Sequence, residues 1–344
     1  LVIDEAQVLK NPRTMLYRSV KELQVPWRIC VSGTPIENSL EDLWALMSLS
    51  VPGLLSTHAH FNEKFRRPIE GTQQDNALEL LHTLIAPFIL RRTKEEVTPE
   101  LPDRIETLLP VPLEGRQRQI YDRYLTRERA RLLRIQLNNE GSQGRFEVLA
   151  ALTRLRQLSL DPALVDERYE GVGSAKINLL CSHLEQIVPA GHQVLVFSQF
   201  VSFLERIDTA LKQRGISCLL LEGKTRKREE VIAKFRRGEE SVFLISLKAG
   251  GVGLTLTEAD YVYIMDPWWN PSVEAQAINR AHRIGQDRAV NVYRLVAQDT
   301  IEEKVCQLQA HKRRLIDTVV DDVSDGGIQG MDIDQLIELL GAGE

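Results

Sequence analysis

Apolar residues follow two spacings along this chain. Short, mostly apolar runs, too short for helices, occupy Leu1–Ile3, Arg28–Val31, Val194–Phe197, Cys218–Leu221, Val242–Leu247, Val262–Met265 and Val292–Val296. Each predicts a buried strand. Between several of them, apolar residues return every third or fourth position, as in Leu40, Leu43, Trp44 and Met47, and in Leu204, Ile207 and Leu211. That spacing predicts helices with one apolar face. Leu78, Leu81, Leu84 and Ile85 form a similar stripe, and Pro52-Gly53 breaks the chain before it. Strand–helix alternation of this kind predicts an α/β fold, a parallel sheet covered by helices on both faces.

The alternation is interrupted. From Leu113 to about Leu160 the pattern is helical and rich in arginine, with a turn expected from Asn138 to Gly144. Pro99 and Pro102 bracket a linker before it. A charged helix is expected over about Thr300 to Val320, then a flexible stretch and a short helix at Asp332–Leu340. The chain opens directly in an apolar run, Leu1-Val2-Ile3, which suggests the C-terminal part of a longer protein.

With 344 residues there is enough chain for two domains. No apolar stretch is long enough to span a bilayer and no secretory leader opens the chain, so an intracellular setting without a membrane partner is expected. Cys30, Cys181, Cys218 and Cys306 stand far apart, which excludes a zinc ribbon. The formal net charge of -5 argues against a generally basic nucleic-acid binder but leaves room for a local basic track.

Five clusters could carry chemistry. Asp4-Glu5-Ala6-Gln7 follows a strand, where open α/β sheets place their ligands. An Asp there can hold Mg²⁺, directly or through water, and a Glu can polarise water; a helix start would also use these acids. Ser32-Gly33-Thr34-Pro35 puts two hydroxyls in a strand-to-helix turn, where they can bind phosphate, meet the acids or cap the helix. Lys248 to Thr255, with Gly250, Gly251 and Gly253, allows close approach of backbone to phosphate or sugar. Asp266-Pro267-Trp268-Trp269-Asn270-Pro271 offers paired indoles for packing or base stacking. Gln276, Asn279, Arg280, His282, Arg283, Gly285 and Gln286 are expected on one turn-rich helix. Arg280 and Arg283 would then share a face and suit a transferred phosphoryl group. Glu222-Gly223-Lys224-Thr225 ends like a phosphate loop, but Cys218 stands where the earlier glycine is required.

Together and in this order, the clusters resemble the SWI2/SNF2 family of helicase-like ATPases. Asp4 to Pro12 resembles motif II, with Gln7 in place of the more usual His; Ser32 to Asn38 resembles motif III. Phe88 to Lys94 resembles the interlobe signature, and Val196 to Phe200 motif IV. Ser246 to Thr257 resembles motif V, with Thr255 where Asn is common, and Asp266 to Gln286 the block that runs into motif VI.

The resemblance implies two RecA-like lobes that use ATP and Mg²⁺ on double-stranded DNA to displace a DNA-bound protein. It implies a remnant of lobe 1 at 1–99, a linker and helical protrusion at 100–173, a complete lobe 2 core at 174–299, a bracing helix at 300–320 and a tail at 321–344. By the same resemblance, Asp4 organises Mg²⁺ through water, Glu5 acts as base, and Arg280 and Arg283 reach the phosphates. Gly251, Gly253, Gln276 and Gln286 would approach the nucleotide, Ser32 and Thr34 would couple hydrolysis to motion, and Ser198, Lys248 and Thr255 would meet DNA. Such a protein would work in the nucleoid of a prokaryote or the nucleus of a eukaryote. Without a phosphate loop, the chain by itself is expected to lack ATPase activity. A non-catalytic DNA- or partner-binding module, or a strand-unwinding subunit, are the alternatives.

Overall fold

The computed structural model describes residues 1–33, 40–69, 75–92, 94–137, 141–249, 254–307 and 309–310. The described residues fall into two compact units, residues 1–93 with 309–310, and residues 94–307.

In the first unit β1 (Val2–Ile3) runs parallel to β2 (Ile29–Cys30), with Val2 opposite Ile29. Parallel neighbours need a crossover. Here a 3-10 turn (Ala6–Leu9) and helix α1 (Met15–Glu22) provide it. Thr14 caps α1 by accepting the Tyr17 N–H at 3.3 Å. The Tyr17 hydroxyl pairs with Ser48 Oγ at 2.5 Å, tying α1 to α2 (Leu40–Ser50). Buried residues lie on nearly every side of α2, among them Leu40, Leu43, Ala45, Met47 and Leu49, so it is a central helix rather than a surface one. Short helices α3 (His58–Phe61) and α4 (Arg67–Ile69) and helix α5 (Asp75–Ile85) close this core with Phe61, Phe65, Leu78, Leu81 and Ile85.

The second unit opens with the short helix α6 (Lys94–Val97) and β3 (Arg104–Val111). The helical hairpin α7 (Gly115–Leu137) and α8 (Gly141–Leu160) follows. Helix α9 (Ala175–Ile187) then leads into β4 (Val194–Ser198), α10 (Val201–Gln213), β5 (Cys218–Leu221), α11 (Arg228–Arg236), β6 (Val242–Ser246), β7 (Tyr261–Ile264), α12 (Pro271–Ile278) and β8 (Val290–Ala297). The strands form one six-stranded sheet in the order β3-β8-β7-β4-β6-β5, and every neighbour is parallel. Every residue of β4 and β6 is buried, as a sheet covered on both faces requires. One core, around Phe197, Phe235, Phe243 and Ile278, fills one face; another, around Leu180, Phe203, Ile207 and Leu211, fills the other.

Three expectations need adjustment. Residues 104–111, read as part of a linker, form edge strand β3 beside β8. Pro110 is compatible with that place because an edge strand has one side without a partner. The helix expected to carry Gln276 through Gln286 ends at Ile278, and the later residues lie in turns. Of the charged helix expected over 300–320, residues 301–307 and 309–310 are helical; 308 and 311–344, with the tail, lie outside the described residues, as do 138–140 of the expected hairpin turn.

A buried ion pair holds one end of this sheet. Lys176 on α9 is 0% exposed and Glu302 is 1% exposed. The Lys176 ammonium donates to Met265 O at 2.6 Å, Leu295 O at 2.8 Å and Glu302 Oε2 at 2.6 Å, so its three protons are all placed. Glu302 Oε2 also accepts the Ala297 N–H at 2.8 Å. Removing one partner strands a buried charge, which costs about 3–5 kcal/mol. Lys176→Met should therefore lower unfolding stability by about that amount in urea titrations. Lys212→Met, which breaks the exposed pair with Asp208, should leave it close to that of the parent chain. Equal effects would contradict this account of the pair.

Candidate functional site

In the first unit, the acids stand just beyond β1. Glu5 adopts a left-handed backbone, φ 50° and ψ 44°. This conformation is uncommon for a residue with a side chain and turns the chain sharply at the strand end. Ala6 N–H then donates to Val31 O at 2.9 Å, which keeps the turn beside β2. Both acids are exposed. Asp4 Oδ1 accepts the Glu5 N–H at 2.9 Å, leaving Oδ2 outside that bond. Exposed carboxylate oxygens of this kind suit a hard cation such as Mg²⁺.

Gln7 joins the two clusters of this unit. Its Nε2 donates to Glu5 Oε2 at 2.5 Å, and its Oε1 accepts from Ser32 Oγ at 2.6 Å. An amide has one donating and one accepting end, so it can serve both partners at once. Ser32 therefore meets the acids through Gln7. Thr34, its expected companion, lies outside the described residues.

In the second unit, the candidate residues gather where the strands end. Ser198, the last residue of β4, is 0% exposed. Its Oγ accepts the Phe200 N–H at 3.1 Å, and its hydroxyl bonds the Asp266 carboxylate. It therefore presents no surface to DNA in this conformation. The strand period buries it together with Ser246, its register partner on β6.

Asp266 sits at the centre of this edge. Its carboxylate accepts the Gln199 N–H at 3.1 and 3.3 Å and Arg156 Nη2 at 3.3 Å. Burial pushes its carboxyl up to about 6, opposed by the charge of Arg156 and the Ser198 hydroxyl. Beyond it, Trp268 N–H donates to Glu274 Oε1 at 2.7 Å, and Glu274 is 0% exposed and paired with Arg294. Asn270 caps α12 by accepting the Ser272 N–H, with Pro271 in the first turn.

The two arginines separate in environment. Arg280 is 6% exposed and its Nη1 donates to Leu254 O at 3.3 Å. Arg283 is exposed, and its Nη1 lies 3.4 Å from Thr255 Oγ1. They share no helical face, because α12 has already ended. Both nevertheless meet the segment that follows the motif V glycines. Gly251 and Gly253 themselves lie outside the described residues.

Gln286 is buried and fully engaged. Its Nε2 donates to Ala259 O and Ala281 O at 2.8 and 3.2 Å, and its Oε1 accepts the N–H groups of Asp287 and Arg288 at 3.0 and 2.9 Å. It holds the turn, which leaves no hydrogen-bonding capacity for a nucleotide in this conformation. Gln276 is half-buried on α12. Lys248 is exposed and Thr255 is half-buried, with Arg236 donating to the Thr255 carbonyl at 2.7 Å.

Sequence reasoning missed two further groups here. Lys94 Nζ donates to Asn279 Oδ1 and His282 O, both at 2.7 Å, and His282 Nε2 lies 2.8 Å from Pro102 O. Arg156, from α8, reaches Asp266 and its neighbours. The available signal for Arg156 was its place between Leu152, Leu155, Leu158 and Leu160, all buried, where a charge needs a partner.

Residues 1–164 match the SNF2-related domain, and residues 175–285 match the helicase conserved C-terminal domain. The fold is thus that of a helicase-like ATPase core. The chain is 35% identical to the Sulfolobus solfataricus SWI2/SNF2 ATPase core solved in complex with double-stranded DNA. That similarity covers 93% of this chain and 68% of that one, with a TM-score of 0.54. The chain belongs to the SWI2/SNF2 family. It is 36% identical over 330 residues to an uncharacterized ATP-dependent helicase of Mycoplasma pneumoniae, covering 94% of this chain and 31% of that protein. It is 33% identical over 335 residues to human SWI/SNF-related matrix-associated actin-dependent regulator of chromatin subfamily A member 1, covering 93% of this chain and 32% of that protein. The chain spans about a third of the length of these curated relatives.

The contrast between the arginines is measurable. Arg280→Ala leaves a buried carbonyl without its donor and should cost about 1–3 kcal/mol in urea unfolding. Arg283→Ala, at the surface, should stay within about 0.5 kcal/mol of the parent chain. A larger loss for Arg283→Ala would place it in the core and contradict the assignment.

Proposed function

We propose that this chain is part of an ATP-dependent translocase on double-stranded DNA that remodels protein–DNA complexes. The observation that carries the reading is the Glu5–Gln7–Ser32 relay. It joins Glu5 to the neighbouring hydroxyl segment, so the position of that carboxylate depends on a second loop. Asp4 would hold Mg²⁺, which when bound neutralises charge on phosphate oxygens. Glu5 accepts a proton from water, oriented by Gln7. On the second unit, Arg283, exposed and supported by Thr255, is the group suited to phosphoryl charge, and Arg280 fixes the backbone beneath it.

DNA would be gripped through its phosphates by Lys248 and the Thr255 segment, so recognition is weakly dependent on sequence and strongly dependent on salt. The family membership and the DNA-bound Sulfolobus relative support this reading. No segment of the 344 residues supplies the GxxxxGK[ST] phosphate loop, so the chain alone is proposed to be inactive as an ATPase.

The chain should bind a mixed-sequence duplex with an affinity that falls steeply between low and moderate salt. Lys248→Ala should weaken binding and reduce the slope of log K against log salt by about 1. Steady-state ATP hydrolysis should stay at background with and without the duplex. Absence of duplex binding at low salt would contradict the DNA reading, and robust turnover would contradict the proposed inactivity.

A further inference from the structure

Arg156 is 3% exposed, yet it stands on the helical hairpin and not on the sheet. Its Nη1 donates to Gln199 Oε1 at 3.1 Å, and its Nη2 to Pro267 O at 2.9 Å and Asp266 Oδ2 at 3.3 Å. Its guanidinium also lies against three rings, with centroids at 5.4 Å for Phe200, 5.0 Å for Trp268 and 5.9 Å for Trp269. One side chain thus grips the β4–α10 connection and the β7–α12 connection together. The second of these leads through α12 into the turns that carry Arg280 and Arg283.

The base of this grip is firm. Arg154, two residues earlier, meets both oxygens of buried Glu128 on α7 at 2.9 and 3.0 Å. Gln117 of α7 reaches the carbonyls of Leu158 and Ser159, each at 3.4 Å, and accepts the Ala175 N–H at 3.0 Å. The hairpin is therefore fastened on both sides of Arg156. A planar guanidinium can offer a fork of donors and two faces at once, which a lysine cannot. Cation–ring contact of this kind is strongest where water is excluded.

We propose that Arg156 is a positioning residue, which makes the placement of the segment bearing Arg280 and Arg283 depend on the helical hairpin. Its catalytic meaning rests on the roles proposed above for those arginines. Its physical content does not, so each can fail alone.

Hydrogen exchange of the 344-residue chain, read by mass spectrometry, tests it. Arg156→Lys keeps the charge beside Asp266 but loses the fork and the flat face. Amides of 266–286 should exchange at least about tenfold faster, the equivalent of a 1.4 kcal/mol local loss. The strands at 194–198 and 242–246 should keep their protection. Arg156→Gln should enlarge the same local effect; if that variant does not fold, the lysine variant decides. Unchanged exchange at 266–286 would overturn the proposal. So would an equal acceleration in every strand, which would mark Arg156 as a general stabiliser.

Discussion

A parallel sheet whose strands end at different heights leaves carbonyls near its carboxyl edge without a neighbouring strand. In this protein two buried cations take them. Lys176 bonds Met265 O and Leu295 O, and Arg156 bonds Pro267 O. β7 ends at Ile264, whereas β8 continues to Ala297, so the Leu295 carbonyl lies beyond the last β7–β8 pair at Ile264 and Arg294. A carbonyl buried there without a donor would cost about 1–3 kcal/mol. Each cation in turn needs an anion, and Glu302 and Asp266 supply it. Both pairs lie at the carboxyl edge from which the candidate loops of this unit depart.

The consequence for function is that the candidate loops are attached to rigid supports before any ligand arrives. Residues 265–267 are held from α9 and from α8, Trp268 from Glu274, and the turns after α12 from Gln286 and Lys94. The arginines emerge from this scaffold in different states. Arg280 belongs to the support and Arg283 to the surface it supports. In the first unit, Gln7 plays the comparable part for Glu5, with an uncharged amide whose two ends fix its orientation.

Much of the architecture was legible from periodicity, because buried strands need mostly apolar runs and the covering helices need a stripe. β3 was not legible. Its residues Arg104, Glu106 and Pro110 interrupt any apolar run, and an edge strand half open to water does not need one. The motifs marked the right segments but not the work of each side chain. Ser198 and Gln286 were placed against ligands by the family resemblance, yet both are buried and bonded within the chain. Arg156 and Lys176 were hidden for the opposite reason. A charged residue in a helix reads as solvated, and its carboxylate partners lie 110 and 126 residues away.

The central claim is that the two buried cations hold one strand end as a unit. A double-mutant cycle on Arg156→Met and Lys176→Met, measured by urea unfolding, tests it most directly. The two cations grip residues 265 to 267 in succession, so once one is gone the other has less to hold. The account predicts a double variant less destabilised than the sum of the singles, by about 1 kcal/mol or more. Losses that add to within about 0.3–0.5 kcal/mol would show two independent anchors and contradict it.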